Sequence, residues 1–147
     1  MQTLSPLDGR YRNKIEDLLP YFSEEALNRA RVEIEVRYFI ALSKEKGVPE
    51  LKPVDAKQEK EAAAVKDIEK TTNHDVKAVE YYLKKKIEKI AGLKGAVEFV
   101  HFGLTSEDVN NLSYGILVHG ALRSVLLPEL QKTVGALRAQ PNALQKT

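Results

Sequence analysis

Asn73, His74 and Asp75 are the residues whose types and order most suggest chemistry. They stand at the predicted start of a helix, where Asn73 is a suitable N-cap and the macrodipole stabilises Asp75. The free N–H groups of a helix start attract an anion, and an imidazole beside them can donate to it or move a proton. The local pattern alone favours a plainer interpretation, a capped helix with a surface histidine. The 3.6-residue apolar period of this helix consists of Val76, Val79, Leu83, Ile87 and Ile90.

A second polar segment, residues 5–11, combines Pro, Asp and Gly in the order typical of a turn. Such a turn presents Arg10 and Tyr11 side by side. The planar guanidinium of Arg10 could hold a phosphate or a carboxylate through two N–H groups, and Tyr11 would add a hydroxyl. Taken alone, the segment is better explained as a surface turn in which Tyr11 packs against the body.

A third polar segment precedes the last long apolar stretch. Thr105 or Ser106 is predicted to cap a helix, with Asp108 early in its first turn. This second helix start is lined with hydroxyls and free N–H groups, so it suits a carboxylate. His101 lies just before it between two aromatic residues, and we expect a buried, hydrogen-bonded structural histidine there. His119 is expected to be exposed on the helix.

Apolar periodicity and capping residues predict an all-α chain of four or five helices, with no convincing strand. The first helix follows the N-cap Ser23 and is expected to be buried on more than one side. Asp55 and Gln58 are predicted to form the capping box of the second helix, and Pro128 is expected to kink or restart the last one. The predicted helices cover 23–46, 55–70, 74–92 and the chain from 105 onward. The predicted apolar face of the last helix begins with Val109, Leu112, Ile116, Val118 or His119, Leu122 and Val125.

Length and composition indicate one domain with a hydrophobic core, since 43% of the 147 residues are hydrophobic and 30% are charged. The net charge is only +2 and acids alternate with bases, so nucleic-acid binding has weak support. The densest basic run, Lys84–Lys86, is expected to be the solvated side of a helix. The chain has no cysteine, which excludes disulfides and thiolate metal sites. No apolar run reaches the length of a membrane span and no signal peptide is recognisable, which predicts a cytoplasmic protein without membrane contact.

Three segments stand out together: SPLDGRY at 5–11, TTNHDVKAVEY at 71–81 and HFGLTSEDVNN at 101–111. In this order and spacing they resemble the N-terminal part of the adenylosuccinate lyase family, a branch of the fumarase/aspartase superfamily. The resemblance covers roughly residues 3 to 138. It implies the N-terminal helical domain of the fumarase/aspartase-like fold in residues 1–108. Residues 109–147 would then be the first helix of the central helical bundle, kinked near Pro128.

The resemblance implies a β-elimination in purine biosynthesis. Fumarate is released from adenylosuccinate, leaving AMP, and from succinylaminoimidazole carboxamide ribotide. A base removes a proton beside a carboxylate, an acid protonates the departing nitrogen, and fixed donors stabilise the charge that develops. Neither a metal nor an organic cofactor is implied. The family forms homotetramers whose active sites combine residues of different subunits around the bundle.

By the same resemblance, the three polar segments bind a small-molecule nucleotide. The pair at 10–11 matches residues that contact the nucleotide at its phosphate. The triplet at 73–75 matches a substrate-binding motif in which His74 lies close to the reacting centre, and the pair at 105–106 matches residues that hold a succinyl carboxylate. The implied binding residues are Arg10, Tyr11, Asn73, His74, Asp75, Thr105 and Ser106.

The 147 residues lack two segments of the family pattern. One is a Thr-His-Gly segment with the general-acid histidine, and the other is a Ser-rich loop with the catalytic serine that ends in Met-Pro-x-Lys-x-Asn. No catalytic residue is therefore assigned, and these residues alone are expected to be inactive. Because family members have several hundred residues, we expect a truncated gene product, an engineered fragment or an incomplete chain.

A different class of function stays open for this sequence. The chain would be a non-catalytic helical module that binds a partner through the apolar face from Val109 to Leu137. Without the other helices of a bundle, this face must pair with itself or with another chain, or else aggregate.

Overall fold

The computed structural model describes residues 5–55, 57–58 and 76–140, and every regular element in these ranges is helical. The predicted all-α class is thus confirmed for the described part of the chain. Its α-helices are α1 (Leu19–Phe22), α2 (Glu24–Leu42), α3 (Val76–Ile87), α4 (Ser106–Ala121) and α5 (Leu127–Ala139). Short 3-10 segments cover Arg12–Lys14, Glu16–Leu18 and Lys94–Phe99, and a π-helical turn covers Leu122–Leu126.

Helix α2 lies at the centre of the described structure and packs against α1, α3 and α4. Its predicted N-cap is confirmed, because the Ser23 hydroxyl accepts a hydrogen bond from the N–H of Ala26 at 3.1 Å. With neighbours on several sides, the helix is buried on more than one side, as predicted, and Arg37 lies on its exposed side. Its buried residues are Ala26, Asn28, Ala30, Val32, Ile34, Glu35, Val36, Phe39 and Leu42.

The end of α2 comes earlier than the sequence predicts. The helix stops at Leu42 instead of Lys46. The buried hydroxyl of Ser43 donates to the carbonyl of Ile40 at 2.8 Å and accepts from the N–H of Val54 at 3.1 Å. These two bonds tie the helix end to the following loop, so the chain turns before the glycine that marked the predicted end.

The largest apolar core lies between α2, α3 and the 3-10 segment that follows α3. Phe39 of α2 and Leu83 of α3 are each 1% exposed, and burying a side chain of this size stabilises the fold by about 1.5–3 kcal/mol. The predicted apolar period of α3 is confirmed from Val76 to Ile87. Helix α3 ends at Ile87, however, and a turn leads to Gly92, whose φ of +87° suits glycine.

The basic run at 84–86 is solvated only in part. Lys84 is half-buried, and its Nζ lies 3.2 Å from Oε1 of Glu80 and 3.0 Å from Oε2 of Glu98. Glu80 is buried and is also bound by Lys77 at 2.7 Å. Burial alone would raise the pKa of Glu80, but the bonds from Lys77 and Lys84 lower it. The buried acid therefore holds Lys84 against the helix surface, while Lys85 is exposed.

The capping box predicted at the start of the second helix is confirmed. Oδ1 of Asp55 accepts from the N–H groups of Lys57 at 2.9 Å and Gln58 at 2.8 Å, and Oε1 of Gln58 accepts from the N–H of Asp55 at 3.3 Å. Most of the helix predicted after it lies outside the described residues.

The buried face of α4 differs from the predicted one. Val109 is buried as expected, but Leu112 is 54% exposed and Ile116 is 37% exposed. The helix instead buries a narrow line at four-residue spacing: Val109, Ser113, Leu117 and Ala121. On this line, Leu117 packs against the small Ala26 and Ala30 of α2, whereas Leu112 and Ile116 face outward.

The predicted change at Pro128 takes the form of a π-helical turn. The turn Leu122–Leu126 joins α4 to α5, and Pro128 is the second residue of α5. A π-helical turn changes the backbone hydrogen bonding just where proline lacks an N–H. None of the residues of α5 is buried. In the described part of the chain, no helix is long and apolar enough to cross a membrane.

Replacing Gly120 by alanine is expected to destabilise the fold. A Cβ there would lie 2.6 Å from Cε1 of Tyr21, at the contact between α1 and α4. Overpacking of this kind costs about 1–3 kcal/mol. Gly115→Ala is the matched control, because its Cβ would meet no atom of the described residues within 4 Å and alanine favours the helix by about 1 kcal/mol. In urea unfolding, the free energy of unfolding of G120A should be clearly lower than that of G115A. Equal free energies of unfolding would contradict the close packing of Gly120 against Tyr21.

Candidate functional site

Arg10 and Tyr11 lie on an exposed turn. The N–H of Tyr11 donates to the carbonyl of Pro6 at 3.0 Å, and the Arg10 guanidinium lies 5.5 Å from the centre of the Tyr11 ring, a cation–π contact. Tyr11 is 45% exposed, so it is not packed against the body. Among the described residues, the guanidinium forms no hydrogen bond or ion pair. The predicted cation beside a phenol is therefore present and accessible.

Asn73, His74 and Asp75 lie outside the described residues. The helix that they precede is described from Val76 onward, and its first buried residue is Val76 itself. Their proposed role in substrate binding stays a prediction from the sequence.

Thr105 is the N-cap of α4, and it forms a complete capping box with Asp108. The N–H of Thr105 donates to Oδ2 of Asp108 at 2.7 Å, its hydroxyl donates to the same oxygen at 2.8 Å, and the Thr105 oxygen accepts from the N–H of Asp108 at 3.3 Å. These bonds from Thr105, first that of its backbone and then that of its hydroxyl, lower the pKa of Asp108. The hydroxyl of Thr105 thus donates its one hydrogen and accepts one hydrogen bond within the cap.

Ser106 has a different task from its neighbour. It is the first residue of α4, it is exposed, and its hydroxyl has no hydrogen-bond partner within the described ranges. The first N–H groups of an α-helix have no acceptor inside the helix, so those of Ser106 and Glu107 are available to a ligand. Of the two predicted residues, Thr105 caps the helix, whereas Ser106 exposes its hydroxyl to solvent.

The turn before this helix start is held by two side chains of α2. Nδ1 of His101 lies 2.5 Å from Oε1 of Glu35, and the Tyr38 hydroxyl donates to the carbonyl of Phe102 at 2.8 Å. His101 has a φ of +62°, a left-handed conformation that is rare outside glycine, and Gly103 follows with +73°. The expected hydrogen bond of His101 is confirmed, but the expected burial is not, because 17% of its side chain is exposed. The left-handed backbone at His101 is a feature that the sequence did not suggest.

Glu35 is the residue that the sequence reasoning missed. Its side chain is completely buried, and its second oxygen, Oε2, has no hydrogen-bond partner among the described residues. Burial raises the pKa of Glu35, and the contact with His101 opposes this rise only in part. An acid between Ile34 and Val36 in a helix that is apolar on several sides was the available signal, since such an acid must be buried with a partner.

The two predicted anion-binding places are not bonded to each other in the described structure. Within the described ranges, no hydrogen bond or ion pair connects the turn at 10–11 to the helix start at 105–106. The same part of the chain has no group of three or more His, Asp or Glu that could hold a metal ion.

A protein-family model described as Lyase matches residues 9–147. The chain belongs to this lyase family. The family has the helical fumarase/aspartase fold, in agreement with the all-α structure.

Among its relatives, proteins named adenylosuccinate lyase are similar to this chain over most of its length. The identity is 42% over 93% of the chain for Legionella pneumophila (strain Corby), 43% over 91% for Haemophilus influenzae and 40% over 91% for Dictyostelium discoideum. The chain spans about a third of the length of these relatives, 33%, 32% and 32% respectively.

The capping box predicts how stability depends on pH. The folded-state pKa of Asp108 is lowered from 3.8, so its contribution is present above 3.8 and is lost as the pH falls through the folded value. Asp108→Asn should therefore unfold at a lower temperature than the unmodified chain near neutral pH, and the difference should vanish at acid pH. Glu107→Gln, at the adjacent exposed position, is the control. A difference between the Asp108→Asn variant and the unmodified chain that is constant across the pH range would contradict the carboxylate cap.

Proposed function

We propose that this chain is the N-terminal, substrate-binding part of an adenylosuccinate lyase, a cytoplasmic homotetramer of purine nucleotide biosynthesis. The observation that carries the proposal is the identity of 40–43% to relatives of that name. The proposed reaction is β-elimination of fumarate from adenylosuccinate, giving AMP, and from succinylaminoimidazole carboxamide ribotide.

The chemistry of the substrate agrees with the exposed polar groups of the chain. Adenylosuccinate carries a phosphate and two carboxylates, and each needs donors or cations. The accessible guanidinium of Arg10 suits the phosphate, with the Tyr11 hydroxyl beside it. Ser106, at the start of α4, suits a succinyl carboxylate, because its hydroxyl and the first N–H groups of the helix have no partner among the described residues.

The remaining predicted residues complete the proposed division of tasks. Thr105 positions the helix start through its capping box and supports the carboxylate site indirectly. Asn73, His74 and Asp75, which lie outside the described residues, are proposed to bind the substrate near the reacting carbon and nitrogen.

The elimination itself needs an acid and a base, and we assign neither within the 147 residues. The Thr-His-Gly segment and the Met-Pro-x-Lys-x-Asn segment of the family do not occur in the sequence. We therefore propose that these residues bind the substrate but do not turn it over alone. The proposal involves no metal and no organic cofactor.

The outer side of the last helices supports self-association. From α4 to α5 the chain exposes a series of large apolar side chains, and an open groove of about 600 Å³ lies along α4 beside Leu112 and Ile116. Apolar exposure on this scale marks an interaction surface. The exposed side chains are Leu112, Tyr114, Ile116, Val118, Leu122, Leu126, Leu127, Leu130, Val134 and Leu137.

This surface agrees with the proposed boundary between a helical domain at 1–108 and the first bundle helix at 109–147. It also agrees with the alternative function, a non-catalytic helical module that binds a partner through the same residues. Nucleotide binding separates the two functions, because only the lyase proposal requires it.

Adenylosuccinate should bind the chain without being cleaved. In titration calorimetry, Arg10→Ala should raise the dissociation constant by roughly tenfold or more, because a charge-assisted contact to the phosphate is lost. Arg12 is also exposed and lies two residues away, so Arg12→Ala is the control. It should change the dissociation constant by less than about twofold. The same mixtures should release no fumarate.

Two results of that titration would count against the proposal. Equal effects of the two arginine substitutions would remove the phosphate role of Arg10. Measurable fumarate release from these 147 residues would contradict the separation of binding from chemistry.

Sedimentation should reveal concentration-dependent association of the chain. Leu130 is 60% exposed on α5, so Leu130→Glu should shift the equilibrium towards the monomer, whereas Gln131→Glu next to it should not. A monomer at every concentration would contradict both the proposed assembly and the helical-module alternative. Association without any nucleotide binding would favour the module.

A further inference from the structure

A series of polar contacts between α2 and α4 has no task in the proposed function. It begins at Arg31, a half-buried residue of α2, whose Nε donates to Oδ1 of Asn110 on α4 at 3.0 Å. The Nδ2 group of Asn110 donates in turn to Oε1 of Glu107 at 3.3 Å. Two hydrogen bonds thus connect a guanidinium between the helices to an acid beside Ser106, at the start of α4.

The guanidinium decides how the amide of Asn110 is oriented. A guanidinium has only donors, whereas a side-chain amide has an acceptor oxygen on one side and an NH2 group on the other. Because Oδ1 of Asn110 accepts from Arg31, its Nδ2 faces the other way, towards the carboxylate of Glu107. Nη1 of Arg31 also donates to Oδ1 of Asn28, one helical turn earlier on α2, at 3.3 Å. The guanidinium is therefore held at two points, and a reversed amide would set its NH2 group against a donor.

The positive charge of Arg31 is not cancelled by a directly bonded acid in the described structure. Its two hydrogen-bond partners there are neutral amides, and it forms no ion pair with a described residue. A cation that is partly removed from water is stabilised by an acid within reach of its field. The acid that this series of bonds reaches is Glu107, so Arg31 and Glu107 form an ion pair that is bridged by the amide of Asn110.

Glu107 carries the charge that would compete with a ligand at the start of α4. It is the exposed second residue of the helix, where the macrodipole and the free N–H groups attract a carboxylate. If it were released, its side chain would be drawn towards the N–H of Ser106 and would repel an incoming anion. The bond from Asn110, one turn further into the helix, draws it in the opposite direction. The other acid of the first turn, Asp108, is already engaged by Thr105 in the capping box.

We propose that Arg31 is a positioning residue of the nucleotide site. Through Asn110 it holds the carboxylate of Glu107 away from the first N–H groups of α4, which stay open to a carboxylate of the ligand. The inference rests on the proposed function, which assigns a succinyl carboxylate to Ser106. Arg31 itself touches no ligand in this arrangement and acts only through the amide and through its charge.

A cycle of two substitutions tests the link between Arg31 and Glu107. Arg31→Gln (R31Q) removes the charge and releases the acid, so the dissociation constant for adenylosuccinate should rise about fivefold. Glu107→Gln (E107Q) alone should change it by less than about twofold, because the acid is already held aside. With both substitutions, the dissociation constant should return to within about twofold of the unmodified value, since the competing carboxylate is gone. Titration calorimetry of the four chains measures these constants.

Two further variants control for the loss of a contact between the helices. Arg29 also lies on α2, but its guanidinium donates to the carbonyl of Pro20 at 2.7 Å, so the effects of Arg29→Gln and E107Q should simply add. Arg31→Lys (R31K) keeps the charge and a donor for Asn110, so its affinity should lie between those of the unmodified chain and R31Q. If R31Q does not fold, the cycle is measured with R31K, and E107Q must recover the loss there.

The outcomes separate this inference from the proposed function. If adenylosuccinate binds the unmodified chain but the effects of R31Q and E107Q are additive, Arg31 has only a structural role and the proposal is overturned. A loss in R31K as large as that in R31Q would overturn it as well. If the unmodified chain does not bind adenylosuccinate, the proposed function fails, and the positioning role fails with it.

Discussion

A carboxyl group that is completely buried in an apolar helix interface needs a partner, and Glu35 has the imidazole of His101. The contact does more than satisfy one acid. It anchors the left-handed turn to α2, and the turn then places Leu104 in a small core with Ile34 and Val109. Helix α4 begins immediately afterwards. The direction and position of its first N–H groups thus depend on this contact, together with the bond from the Tyr38 hydroxyl to the carbonyl of Phe102.

The chain has two exposed surfaces of different chemistry, one polar and one apolar. The polar turn at Arg10 and the helix start at Ser106 are exposed and are proposed to bind an anion, whereas the outer side of α4 and α5 exposes large apolar side chains. No hydrogen bond or ion pair within the described ranges brings the two polar places together. In an assembly of copies, the apolar surfaces would bind one another and so fix the relative positions of the polar ones. Association and ligand binding are therefore expected to be linked through the geometry of the helices.

The sequence predicts local features of this fold better than the contacts between its elements. The caps at Ser23 and Thr105 are correct because a cap depends only on residues three apart. The predicted buried face of α4 is wrong at Leu112 and Ile116, which are exposed. Apolar periodicity does not reveal which of several apolar faces packs against another helix of the described chain. Glu35 was missed for a related reason. Its importance arises from a residue 66 positions away, and no local pattern encodes that pairing.

Amide hydrogen exchange tests most directly whether the buried carboxyl organises the helix start. The amides of Leu104, Thr105 and Asp108 are bonded within the turn and the cap, so each reports on its integrity. In E35Q, these three amides should exchange faster relative to the core amides of Val79 and Leu83 on α3, because the turn loses its anchor while the main core is kept. Acceleration by the same factor at all five amides, or at none, would contradict the account.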